Sequence, residues 1–246
     1  MPLLETHNLI KTYDGRRVVD RVGFEVGESE IVGLLGRNGA GKTTSFRITV
    51  GMIASDEGRV VLAGEDISHL PMYQRARRGM GYLSQEPSVF QRLSVEDNLL
   101  AILESLKDLS EADRRRQAEE LMERFGLTVN ARQLARTLSG GERRKLEIAR
   151  ALITHPRLLL LDEPFSGVDP IAVHDLQRDI LKLRDEQGIS ILLTDHNVRE
   201  ILTITDRTYI LDEGKVLRHG TPKELITDEV VRRTYLGDTF RGDEFD

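Results

Sequence analysis

A chain of 246 residues, 39% hydrophobic and 31% charged, has an ordinary soluble-globular composition and is long enough for one large domain or two small ones. Its net charge of −6 disfavours a primary role on nucleic acid, whose binders are more often basic. The lack of cysteine excludes disulfides, thiolate metal sites and cysteine nucleophiles; no apolar run nears the roughly 18 residues of a membrane span, and the first residues, Met-Pro-Leu-Leu-Glu, lack the pattern of a secretory signal.

In chain order, β-type runs are expected at 3–9, 18–26, 31–35 and 59–62, separated by turns. The run at 31–35 leads into Gly36-Arg-Asn-Gly-Ala-Gly-Lys-Thr43, and a helix is expected from Gly41 to about Val50, stopped by Gly51. From Ser94 to Thr154 strand signals vanish and helix formers dominate, with helices expected over 96–106, 111–125 and 141–153. Strand runs resume at 157–161, 189–194, 207–211 and 215–219, with a helix over 171–186 between them. Strand–helix–strand alternation predicts a parallel sheet covered by helices, with a smaller antiparallel sheet beside it from the early strands. The organisation expected is a single domain over 1–246. Residues 1–85 and 157–246 form an α/β core with its antiparallel part, and a helical subdomain is inserted over 86–156.

The glycine-rich stretch fits G-x-x-x-x-G-K-[ST] in the context that pattern requires, a strand before and a helix after. Gly36, Asn38, Gly39 and Gly41 let the backbone curl so that its N–H groups face phosphate oxygens at a helix start. Lys42 is placed to reach the β- and γ-phosphates, and the Thr43 hydroxyl, with Thr44 beside it, to serve Mg²⁺ and phosphate. Leu158-Leu-Leu-Leu-Asp162-Glu163 is an apolar strand ending in two carboxylates. Strand alternation separates their directions: Asp162 is expected to hold Mg²⁺ and Glu163 to polarise an attacking water. Leu138-Ser139-Gly140-Gly141-Glu142 opens a helix with Ser139 as N-cap, a second anion-binding helix start. A chain with one phosphate loop has a use for it if it serves a nucleotide held by another copy.

Together these motifs resemble the ABC ATPase family over essentially the whole chain. Tyr13 stands where the family stacks adenine, Gln85 follows Tyr82-Leu-Ser, Ser166-Gly-Val-Asp169 follows the acidic pair, and His196 closes Leu193-Thr-Asp-His. The resemblance implies a P-loop NTPase (RecA-like) fold and a homodimer with two ATP molecules between Lys42 of one copy and Ser139, Gly140 and Gly141 of the other. It implies that Gln85 senses Mg²⁺ and the γ-phosphate, that His196 positions Glu163, and that Asp169 communicates across the dimer. Two departures are Arg37, where many members carry proline, and Gly167, often alanine. ATP and Mg²⁺ are the implied cofactors and transmembrane permease subunits the implied partners, with the chain peripheral on the cytoplasmic face of the inner membrane.

Within the family, the stretches 70–79, 81–86, 88–90, 194–200 and 231–237 resemble the sub-family that powers lipopolysaccharide export. Branched-chain amino-acid import ATPases share part of that pattern, and a non-transport role on a membrane or assembly partner is a third reading. The short span from Lys42 to Ser139 leaves no room for the long coiled coil of the DNA-maintenance relatives. Val89, Phe90 and Leu93, with Arg77 and Arg92, are expected to offer a partner's short helix an apolar anchor with a charged rim.

Overall fold

The computed structural model describes residues 2–106 and 108–237. Its strands are β1 (Leu4–Tyr13), β2 (Arg16–Val26), β3 (Ile31–Gly36), β4 (Glu57–Leu62), β5 (Glu65–Asp66), β6 (Met80–Leu83), β7 (Leu158–Asp162), β8 (Ser190–Thr194), β9 (Arg207–Asp212) and β10 (Lys215–Gly220). Among them run helices α1 (Lys42–Val50), α2 (Met72–Ala76), α3 (Val95–Leu103), α4 (Glu111–Arg124), α5 (Gly140–Leu152), α6 (Pro170–Gln187), α7 (Val198–Ile204) and α8 (Pro222–Thr227). The early strands form an antiparallel sheet in the order β2-β1-β4-β5. The second sheet has the order β10-β9-β3-β8-β7-β6 and is parallel except for β10, which returns against β9.

The central strands β3, β7 and β8 are buried at every position and mostly apolar because both faces of the sheet are covered. Alternation divides their side chains. Val32, Leu34, Leu158, Leu160 and Leu192 pack with Phe46 of α1 and with the antiparallel sheet. Ile31, Leu35, Leu159, Leu161, Ile191 and Leu193 pack on the other side with residues of α3, α4, α5, α6 and α7. Local signals set the helix ends. Ser94, Ser110 and Asp169 accept a backbone N–H from the first turns of α3, α4 and α6, and Gly188, at φ +67°, closes α6.

The strand β6 was not expected from sequence. Four residues containing a glycine carry too little pattern; pairing with the all-leucine β7 makes them a strand. The short helices α2, α7 and α8 were likewise not anticipated, and the helix expected to reach 106 stops at Leu103. Such short helices draw their stability from tertiary packing rather than from propensity.

Candidate functional site

In an open α/β sheet, ligands bind in the crevice beyond the carboxyl ends of the strands. Here the ends of β3, β6, β7 and β8 deliver Gly36, Gln85, Asp162 with Glu163, and His196 to one edge of the sheet. A cleft of about 420 Å³ opens there, lined by Asn38, Gly39, Lys42, Gln85, Glu163 and His196 among others. Gly41, Thr43 and Thr44 also line it. Gly41 caps α1 at φ +96°, and a Cβ there would lie 2.5 Å from the Val18 carbonyl oxygen, so only glycine fits. No side chain caps this helix, which leaves its first N–H groups directed at the cleft. The Lys42 ammonium donates to the Gly36 carbonyl at 2.6 Å and the Arg37 carbonyl at 3.1 Å. Arg37 thus contributes its backbone carbonyl to the loop. Burial lowers the Lys42 pKa, opposed by the charges of Glu163 and Asp162.

Glu163 is 5% exposed and sits one residue past β7 with φ +50°, a left-handed conformation uncommon for a side chain of its kind. Its N–H donates to the Thr194 carbonyl at 2.8 Å. Its carboxylate is held from both sides: Gln85 Nε2 donates to Oε2 at 2.7 Å, and His196 Nε2 lies 2.7 Å from Oε1. Asp162 is the last residue of β7, so Glu163 lies outside the strand, in this left-handed turn. Asp162 is 2% exposed, and its Oδ1 has no hydrogen-bond partner among the described residues. Burial, then the neighbouring Glu163, pushes its carboxyl up to about 6, partly offset by Arg47.

That orphaned, buried oxygen is the observation that bears on a cation. With the Thr43 hydroxyl and the Gln85 amide it makes an all-oxygen donor set, which suits a hard ion such as Mg²⁺. No cluster of three or more His, Cys, Asp or Glu able to hold a metal occurs among the described residues. An ion here would share its coordination with phosphate oxygens, as Mg²⁺ does in nucleotide sites.

One residue that the sequence reading missed ties the site together. Arg144 of α5 is 5% exposed. Its guanidinium donates to the carbonyls of Asp162 (3.0 Å), Glu163 (2.6 Å) and Pro164 (3.0 Å) beyond β7, and to that of Ser84 (3.0 Å), the residue before Gln85. It also pairs with buried Glu147 at 2.8 Å, and Glu147 accepts the Ser88 N–H at 2.7 Å. The legible signal was periodicity: Gly141, Arg144 and Ile148 fall on one face of α5, so a cation stands where an apolar residue belongs.

Some candidates lie apart. Tyr13 does not line the cleft; it ends β1, half exposed, with Lys11 Nζ 5.6 Å from its ring centroid. Ser139, Gly140 and Gly141 start α5 outside the cleft, and Ser139 and Gly140 are exposed. A Cβ on Gly140 would lie 2.5 Å from the Gly167 carbonyl oxygen, so the helix start packs directly on the loop after the acidic pair. Asp169 caps α6 through the Ala172 N–H at 3.1 Å. A larger cavity, about 460 Å³, lies between Gln117, His155 and Gly188 and includes none of the candidate residues.

The expected anchor is corrected in part. Val89 is buried in the core cluster, and Arg77 lies over Tyr73 instead. Phe90 is 45% exposed, with the Arg150 guanidinium 4.6 Å from its ring centroid. Fully buried Asn98 accepts the Phe90 N–H at 2.8 Å and donates to its carbonyl at 3.0 Å, fixing the backbone so that the ring is presented outward.

A phosphate loop beneath an acidic strand end, in a mixed-sheet fold with a helical layer between β6 and β7, defines an ATPase cassette. The sequence model of the ABC transporter family matches residues 19–166, and the chain belongs to that family. It is 53% identical to the lipopolysaccharide export system ATP-binding protein LptB of Escherichia coli K12, covering 98% of this chain and all of that protein. Its identity to LptB of Haemophilus influenzae Rd is 52% over the same shares. Among solved structures, an ATP-binding cassette of an ABC transporter in its ADP conformation superposes with a TM-score of 0.86 at 28% identity, covering 97% of this chain and 100% of the other.

Proposed function

We propose that this chain is the ATP-hydrolysing subunit of a lipopolysaccharide exporter, working as a homodimer against membrane permease subunits on the cytoplasmic face of the inner membrane. The observation that carries the substrate is the 53% identity to LptB across the full length of that protein. No helix among the described residues is long and apolar enough to cross a membrane, so a pathway for cargo has to come from other chains. The branched-chain amino-acid import reading has no comparable support.

The chemistry follows from the cleft. The N–H groups at the start of α1 and the Lys42 ammonium grip the phosphates of ATP. Thr43, Asp162 and Gln85 would hold Mg²⁺, which when bound neutralises charge on the phosphates. Glu163 accepts a proton from the water that attacks the γ-phosphate, and its fixed position matters because proton acceptance requires contact at hydrogen-bond distance. Gln85 and His196 keep its two oxygens from turning away. Tyr13, which does not line the cleft, would offer the adenine a flat face. Ser139, Gly140 and Gly141, outside their own chain's cleft, serve the nucleotide of the second copy.

Expression of this chain in Escherichia coli depleted of its own LptB is expected to restore growth. Failure to restore it, with the chain present at normal level, would remove the export assignment and leave the ATPase intact. The exposed ring of Phe90 is the proposed anchor for a membrane subunit. Phe90→Ala is expected to keep ATP affinity and the melting temperature of the isolated chain while weakening co-purification with the permeases by about 1–3 kcal/mol. Normal assembly would sink that role.

A further inference from the structure

We propose that Glu142 is an internal ligand of Ser139, competing with the γ-phosphate of a second copy's nucleotide and so raising the ATP concentration at which two chains close. This rests on the reading that Ser139 serves that nucleotide. One carboxylate oxygen, Glu142 Oε2, accepts from both the Ser139 N–H and the Ser139 hydroxyl, each at 2.8 Å. A serine hydroxyl carries a single proton. While that proton is given to Glu142, it cannot be given to a phosphate oxygen. The competitor is itself anchored: Asn130 Nδ2 donates to Glu142 Oε1 at 3.1 Å and to Gln133 Oε1 at 2.8 Å.

Charge sharpens the competition. The Ser139 N–H and then its hydroxyl hold the Glu142 carboxyl below its usual pKa, which favours the ionised, acceptor-only form. Two anions cannot share one pair of donors, and a carboxylate left beside an arriving phosphate repels it. Lys145, on the same helix, pairs with Asp179 on α6 at 3.4 Å, and its charge also helps to hold the Glu142 carboxyl down. The same bonds form a capping box that starts α5, with the Ser139 Oγ accepting the Glu142 N–H at 3.3 Å. The sequence therefore uses one side chain for two tasks, starting the helix and holding the serine. A glutamine at 142 would keep the shape of the box while removing the charge.

The test uses the full chain carrying Glu163→Gln, in which slow hydrolysis lets the ATP-bound dimer be counted by gel filtration over a range of ATP·Mg²⁺ concentrations. Adding Glu142→Gln is expected to lower the ATP midpoint for dimerisation roughly tenfold, because a charge-assisted bond is exchanged for a neutral one and the repulsion is gone. Asn130→Ala, which unpins the carboxylate without altering the box, is expected to shift the midpoint the same way by less. Unchanged or higher midpoints in both variants would overturn the proposal. Ser139→Arg in the same background separates the two ideas. If it blocks dimerisation while Glu142→Gln and Asn130→Ala change nothing, only the role of Glu142 falls. If it dimerises like its parent, the shared site itself is wrong.

Discussion

Glu163→Gln is expected to bind ATP and to hydrolyse it about 10²–10⁴-fold more slowly, the usual scale for losing a positioned acid or base. Glutamine fills the same volume at the end of β7 and can occupy the same left-handed turn, so the fold and the cleft are kept. What changes is the acceptor. The two carboxylate oxygens now meet a donor each, from Gln85 and His196, and an amide has only one oxygen to offer. A neutral amide also cannot take the proton of the attacking water. With hydrolysis slowed and the phosphate contacts of Lys42 intact, the ATP-bound dimer should persist and appear by gel filtration with ATP·Mg²⁺ and not without it. Turnover near that of the unaltered chain would remove Glu163 from the mechanism.

Arg144→Met is expected to destabilise the chain by about 3–5 kcal/mol, because it leaves Glu147 charged, buried and without its cationic partner. For a domain of this size the loss corresponds to a fall in melting temperature on the order of 10 °C. The double variant Arg144→Met/Glu147→Leu removes both charges and should recover much of that stability, as replacements of whole buried pairs commonly do. It should not recover hydrolysis. The carbonyls of Ser84, Asp162, Glu163 and Pro164 still lack the guanidinium that holds the Gln85 and Glu163 loops in mutual register. A double variant that melts normally and hydrolyses ATP at the original rate would show that Arg144 acts only as one half of a buried pair.

Much of this was legible because it is local. A phosphate loop is a run of eight residues between a strand and a helix, and its glycines, lysine and threonine work through their own backbone and helix start. Ser139 likewise announces a helix by capping an N–H group three residues on. The apolar runs of β3, β7 and β8 follow from burial on both faces, which a composition of consecutive leucines and isoleucines states directly. The acidic pair at 162–163 and the resemblance to the ABC family rest on such short stretches in order along the chain.

What the tertiary structure decided is whatever needs partners far apart in sequence. β6 exists because β7 pairs with it, and the described residues between them include three α-helices, α3, α4 and α5. The left-handed turn at Glu163, directly after Asp162, is held by Thr194 and Arg144, neither of which belongs to the acidic pair. Buried Asn98 ties down the backbone of Phe90, whose ring is exposed, while Val89 beside it packs into the core. Sequence patterns record the hydrophobicity and turn preference of each residue. They do not record which carbonyls a single buried guanidinium will reach, since that depends on how two loops and a helix converge after the sheet has assembled.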